Sequence, residues 1–168
     1  MAGLLDELRG GTRKTLGRSK DVAQRILADP SLLDELLEAF ESNDKVLLSR
    51  AADCLEAVAA ARPELVQPHK ALILGWLTQF EQWEVREHTC LLISHLRLTG
   101  AERREMFDTV RGWLSDKSSI VRTFSMQTMF DLSRQDASLG EDVADVLEQA
   151  LVHGTPAMKA RARNLLKR

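Results

Sequence analysis

The sequence predicts an all-α fold, an α-solenoid built from four stacked helical hairpins behind one N-terminal capping helix. Apolar residues recur at three- and four-residue spacing, which is typical of amphipathic helices. The segment GWLTQFEQWEVR, which begins at Gly75, is nearly repeated as GWLSDKSSIVR from Gly112, an offset of 37 residues. Repeats of this length indicate stacked helical hairpins. No alternating apolar run is bounded by hairpin turns, so the sequence gives no sign of strands.

The N-terminal part of the chain divides into two predicted regions. Residues 1–18 form a separate segment, which Gly10-Gly11 is expected to make flexible. Residues 19–28 predict the capping helix, and the four hairpins follow it. We therefore expect a single repeat domain over residues 19–168.

Turn and cap residues divide the rest of the chain into helix pairs. The predicted pairs are 30–42 with 45–61, 68–80 with 83–98, 101–115 with 119–135, and 141–153 with 156–167. Asp29, Ser118 and Thr155 are expected to cap helices, because their side-chain oxygens can accept from free N–H groups in the first turn. Thr99-Gly100 is expected to end the helix that starts at Trp83.

Several side chains are predicted to lie in the core. Trp76 and Trp113 occupy the same position in successive units, which indicates matching buried contacts. Cys54 and Cys90 lie within apolar helical patterns and are expected to be reduced core thiols. The helix 119–135 is apolar on almost every side, so we expect other helices to cover most of it.

Composition limits the class of protein. The chain has 168 residues, 44% of them hydrophobic and 29% charged, with a formal net charge of −2. These values are ordinary for a soluble domain and argue against a surface built entirely for nucleic acid or anionic lipid. The start has no signal-peptide pattern, and no run of 18 apolar residues occurs. We therefore expect a cytoplasmic protein with no membrane partner.

The sequence predicts neither catalytic residues nor a cofactor. It contains no Gly-rich phosphate loop, no Gly-x-Ser-x-Gly, no His-Glu-x-x-His and no Cys-x-x-Cys. Glu84, His88 and His95 share one side of a helix, but the two histidines are about 10 Å apart along its axis. That separation is too large for one ion, so we predict no metal site.

Two of the predicted units carry a family resemblance. A Val-Arg pair near the start of the second helix is followed by a branched apolar residue, in Val85-Arg86 with Leu96 and in Val121-Arg122 with Leu132. These paired helices resemble HEAT repeats, and the spacing of Asp116 and Arg122 matches the acid-to-arginine spacing of that family. The resemblance implies a right-handed superhelix in which the second helices line the concave side.

Basic residues align in the second helices when the units are superposed. One position holds Leu48, Arg86, Arg122 and Lys159, and the position two residues later holds Arg50, His88, Phe124 and Arg161. We predict that a binding ridge is formed by Arg50, Arg86, His88, Arg122, Lys159 and Arg161. Trp83, which we expect to be exposed, would be an anchor at its rim. The alternative is that the basic residues only link neighbouring units.

The predicted function is that of a non-enzymatic scaffold for a protein or peptide partner, with an acidic partner favoured by the charge of the ridge. A nucleic-acid partner is the alternative that the sequence favours less. DNA glycosylases that remove alkylated bases are also built from HEAT-like helices, and Trp83, Glu84 and Arg86 loosely resemble the aromatic, acidic and basic residues that face DNA in that family. The two functions are distinguished by whether these three side chains converge on one cleft.

Overall fold

The fold of the chain is all-helical over residues 3–168, the residues that the computed structural model describes. No strand occurs among them. Their contacts divide the chain into two compact units, one that ends at Leu96 and one that extends from Arg97 to Arg168. No helix in the described part of the chain is long and apolar enough to cross a membrane.

Unit 1 is built around one long helix, α4. Its α-helices are α1 (Leu4–Leu8), α2 (Ser19–Ala28), α3 (Leu33–Glu38), α4 (Lys45–Ala61), α5 (Pro63–Val66), α6 (Lys70–Gln79) and α7 (Trp83–Ile93). Helix α4 packs against α1, α2, α3, α5 and α7, and α6 packs against α7. Ten of the 17 residues of α4 are buried, since helices cover it on most sides.

Unit 2 contains two helical hairpins. Its α-helices are α8 (Gly100–Gly112), α9 (Ser119–Ser133), α10 (Gly140–His153) and α11 (Pro156–Leu165). Helix α9 packs against α8, α10 and α11, and α10 also packs against α11. Buried residues lie on almost every side of α9, as its apolar pattern predicts.

Side-chain caps set several of the helix starts. Asp29 accepts a hydrogen bond from the backbone N–H of Ser31, Ser118 from that of Val121, and Thr155 from that of Met158. These three caps confirm the sequence prediction. Asp44, at the start of α4, accepts from the N–H groups of Val46 and Leu47.

The predicted end of the helix that starts at Trp83 is wrong. Helix α7 ends at Ile93 rather than Leu98, because Ser94, His95 and Leu96 donate their N–H groups to carbonyls three residues earlier. Thr99 does not end this helix but caps the start of α8. It accepts from the N–H of Glu102, whose carboxylate accepts from the N–H of Thr99.

The predicted core residues are buried. Trp76 is 4% exposed and Trp113 is 8% exposed, and the Trp76 ring stacks on Phe40 with ring centroids 3.8 Å apart. Cys54 and Cys90 are buried free thiols. Burial raises the pKa of Cys54 to about 12, and the charge of Asp53 adds to this effect. Both tryptophans and both thiols therefore belong to the core, as predicted.

The N-terminal segment, which the sequence sets apart from the repeat domain, contributes to the core of unit 1. Helix α1 packs against α2, α3 and α4, and Leu4 and Leu8 are buried. The chain then turns at Gly10 and Gly11, both of which have positive φ. In the stretch that leads to α2, the carbonyl oxygens of Thr12 and Thr15 accept hydrogen bonds from Arg50 of α4.

Candidate functional site

Arg50 is enclosed by the N-terminal segment. Only 4% of the residue is exposed. Its guanidinium donates to the carbonyl oxygens of Leu8, Arg9, Thr12 and Thr15 at 2.9 to 3.4 Å, and to the Thr15 hydroxyl at 3.3 Å. The expected surface position on a binding ridge is therefore not observed, since this arginine holds residues 8–15 against α4.

Trp83 and Glu84 line one groove of unit 1, but Arg86 is not part of its lining. Glu84 is buried and forms two hydrogen bonds with the guanidinium of Arg13, at 2.7 and 2.8 Å. Arg86 donates from its Nε to the carbonyl oxygen of Phe80 at 3.0 Å. The hydrogen bond with Glu84 raises the pKa of Arg13 above its ordinary value. The charge of the Glu84 carboxylate is therefore neutralised by Arg13.

Trp83 is exposed, as its position in the turn between helices predicts. It is the first residue of α7, and 36% of it is exposed. It lines a groove of about 910 Å³ in unit 1. The N-terminal segment, α4 and α7 each contribute to the lining of this groove. The lining residues are Thr12, Arg13, Lys14 and Leu16, then Val46 and Ser49, and then Trp83, Glu84, Glu87 and His88. The proposed role of Trp83 as an anchor stays a prediction.

His88 contacts two carboxylates of α4. Its Nε2 lies 3.8 Å from Oδ1 of Asp53, and its Nδ1 lies 3.8 Å from Oε2 of Glu56. Burial of the ring acts to lower the pKa of His88, but Glu56, Asp53 and Glu87 together outweigh it, so the pKa lies above its ordinary value. Burial is the main cause of the raised pKa of Glu87.

Arg122 lines a pocket in unit 2 of about 460 Å³. Leu114, Val146, Ala150 and Met158 supply much of its apolar wall, and Thr155 and Gln149 supply neutral polar groups. The Nε of Arg122 is buried and has no hydrogen-bond partner among residues 3–168. Arg122 thus combines a place in a pocket with a buried donor that has no partner among these residues.

The pocket of unit 2 also contains acidic residues. Asp142 lies 3.5 Å from the guanidinium of Arg111, which compensates its charge. Asp145 is exposed. Of the two acids in the pocket lining, one is therefore paired with an arginine of the same lining, and the other is exposed.

Arg161 and Lys159 lie on α11. Arg161 donates from Nη1 to the side-chain oxygen of Gln127 at 2.9 Å, and its guanidinium carbon lies 5.2 Å from the centroid of the Phe124 ring. These contacts link α11 to α9, as the alternative interpretation of the basic positions expects. Lys159 is partly buried.

Sequence reasoning missed two pairings in unit 1. Arg13 and Glu84 are 71 residues apart, and Asp53 and Glu56 lie on a different helix from His88. The i, i+3 spacing of Asp53 and Glu56 placed both carboxylates on one side of α4. The sequence held no signal that would match that side with α7.

Comparisons of the chain with models of known protein families, with curated protein sequences and with solved structures found no match.

Proposed function

We propose that the chain is a HEAT-like α-solenoid that binds an acidic protein segment and catalyses no reaction. The packing within each unit supports the repeat architecture. In unit 2, α8 pairs with α9 and α10 pairs with α11, and the second helices α9 and α11 also contact each other. In unit 1, the second helices α4 and α7 contact each other in the same way. A stacked array of hairpins has this pattern of neighbours.

The observation that carries the proposal is Arg122, which lines the pocket of unit 2 and whose buried Nε has no hydrogen-bond partner among residues 3–168. A buried N–H without an acceptor costs about 1–3 kcal/mol, so an arriving acceptor recovers that free energy. A carboxylate is the acceptor that suits this group best, because guanidinium–carboxylate hydrogen bonds are charge-assisted and directional.

The rest of the pocket indicates what surrounds the carboxylate. A volume of about 460 Å³ holds a few side chains, and it lies within the usual range for ligand pockets, about 300–1,000 Å³. Leu114, Val146 and Met158 offer an apolar wall. The predicted ligand is therefore a peptide segment in which an Asp or Glu is flanked by apolar side chains.

A peptide library displayed on phage tests this proposal with the purified full chain. We expect the selected peptides to share an acidic residue next to apolar residues. Their affinity for Arg122→Met should fall about 10- to 100-fold, which corresponds to the loss of one charge-assisted hydrogen bond of about 1.5–3 kcal/mol. Met preserves most of the apolar stem of arginine, so the wall of the pocket changes little.

The matched control is Arg163→Met, the same substitution at an exposed position of α11 outside the pocket. It should leave affinity unchanged. Circular dichroism and thermal unfolding of both variants check that each is folded. Selection of peptides without acids, or equal binding to wild type and Arg122→Met, would show that the pocket is not the binding site.

A further inference from the structure

Three side chains with metal-binding groups meet between α4 and α7 in unit 1. One nitrogen of His88 and one oxygen each of Asp53 and Glu56 lie within 4.8 Å of one another. Asp53 and Glu56 are one turn apart on α4, and His88 lies on α7. The cluster therefore joins two packed helices and does not belong to the pocket of the proposed function.

The distances within the cluster are too long for hydrogen bonds. Both ring nitrogens of His88 are 3.8 Å from the nearest carboxylate oxygens, whereas an N–H···O hydrogen bond measures about 2.7–3.2 Å. Two ligands of a tetrahedral zinc ion, each about 2.0–2.1 Å from the metal, are about 3.4 Å apart. These two distances start from different ring nitrogens, and one ion binds one of them. The three possible ligand atoms, one from each residue, lie within 4.8 Å of one another, so their separations must shorten by up to about 1.4 Å for zinc to bind all three.

The histidine in this cluster has an unsatisfied buried atom. Its side chain is 12% exposed, and the side chains of Asp53 and Glu56 are 14% and 22% exposed. Nδ1 of His88 is fully buried without a hydrogen-bond partner among the described residues. A buried nitrogen of this kind is unfavourable unless something binds it.

The surroundings already orient one of the ligands. The hydroxyl of Ser19 donates to Oδ2 of Asp53, which leaves Oδ1 as the oxygen nearest the ring of His88. Hydrogen bonds of this type to a ligating carboxylate are common around metal ions, because they fix the direction of the ligand.

The local charge also favours a cation. Besides Asp53 and Glu56, the carboxylate of Glu87 acts on His88. The carboxylate of Glu84 is neutralised by Arg13, so it does not add to the negative charge around His88. Three carboxylates therefore surround one imidazole, and the groove lined by Glu87 and His88 gives an ion a route from solvent.

We infer that Asp53, Glu56 and His88 bind a divalent transition-metal ion, with Zn²⁺ as the best match to one imidazole and two carboxylates and a fourth position open to water. Each residue supplies one ligand atom. The ion connects α4 to α7, so its role is to stabilise unit 1. The assignment is independent of the proposed partner pocket, which lies in unit 2.

Cobalt titration of the chelator-treated full chain tests this inference. Four-coordinate Co²⁺ absorbs visible light much more strongly than hydrated Co²⁺, so binding is read directly. We expect one equivalent to bind, Zn²⁺ to displace it, and Zn²⁺ to raise the midpoint of urea unfolding. In His88→Gln and in Asp53→Asn, affinity should fall at least 100-fold.

Two control variants separate the cluster from other metal-binding groups. His95→Gln changes an exposed histidine at the end of α7, and Cys54→Ser removes the thiol next to Asp53. Both should bind Co²⁺ as the wild type does. The inference is overturned if 1 mM Co²⁺ produces no band in the wild type, or if His88→Gln gives the same band. In that case His88 is an imidazolium held between two carboxylates, with no metal.

Discussion

Replacement of Arg50 by methionine should release the N-terminal segment from α4. Methionine keeps most of the apolar stem but removes all five hydrogen bonds that the guanidinium donates to residues 8–15. The carbonyl of Leu8 is buried and would lose this charged donor. The other acceptors are only partly buried and would regain hydrogen bonds from water.

The expected change in the free energy of local opening depends on this difference in burial between the acceptors. One buried carbonyl without a donor costs about 1–3 kcal/mol, and the partly exposed acceptors add little. Local opening of residues 9–18 should therefore become about 2 kcal/mol easier, which is about 30-fold in the opening equilibrium.

Limited trypsin digestion measures this opening, because Arg13 and Lys14 lie in the segment. When reclosing is faster than cleavage, the rate follows the population of the open form. We expect cleavage after these residues to be about 30-fold faster in Arg50→Met than in wild type, and unchanged in the control Arg163→Met. Cleavage of Arg50→Met within about threefold of the wild-type rate would refute the assignment of Arg50 as the anchor of this segment.

The remaining predictions concern a turn, a cap and the thiols. Gly17 has φ of +56°, and a Cβ there would lie 2.7 Å from Cζ of Arg50. Gly17→Ala should therefore lower the free energy of unfolding more than Gly10→Ala, because Gly10 also has a positive φ, +77°, but open space around it. Equal losses of unfolding free energy in urea would exclude the steric effect at Gly17. Asp44→Ala should cost about 1 kcal/mol in the same assay, because the first turn of α4 loses its acceptor, and no loss would show that the cap is dispensable. Cys54 and Cys90 should not react with a disulfide reagent at pH 8 until the protein is unfolded, since both are buried and the Cys54 pKa of about 12 keeps its thiol protonated. Rapid reaction of native protein would contradict their core positions.

Local patterns predicted much of the secondary structure. The bounds of α4 and the caps at Asp29, Ser118 and Thr155 depend on residues within one turn of each other, so the sequence contains the necessary information. The prediction for Thr99 is wrong for a related reason. A threonine followed by glycine is compatible with either a helix end or a helix start. The two hydrogen bonds between Thr99 and Glu102 place Thr99 at the start of α8.

The candidate sites depend on contacts that the sequence does not specify. Arg50 was placed on a surface ridge by its position in the repeat, yet residues 8–15 cover it. Alignment of the repeated units compares residues within the hairpins, and it does not predict where a segment outside the hairpins packs. Arg122 shows the opposite outcome. Its position in the repeat predicts a binding role, and the structure adds the pocket and a buried Nε without a hydrogen-bond partner in the described part of the chain.

Methyl NMR of the methionines tests the proposed binding pocket most directly. Met158 lines the pocket beside Arg122, whereas Met126 and Met129 are fully buried in the core of unit 2. During titration with a selected acidic peptide, we predict a large shift of the Met158 methyl signal, little change at Met126 and Met129, and no shift in Arg122→Met at the same peptide concentration. An unchanged Met158 signal at saturating peptide would contradict the account.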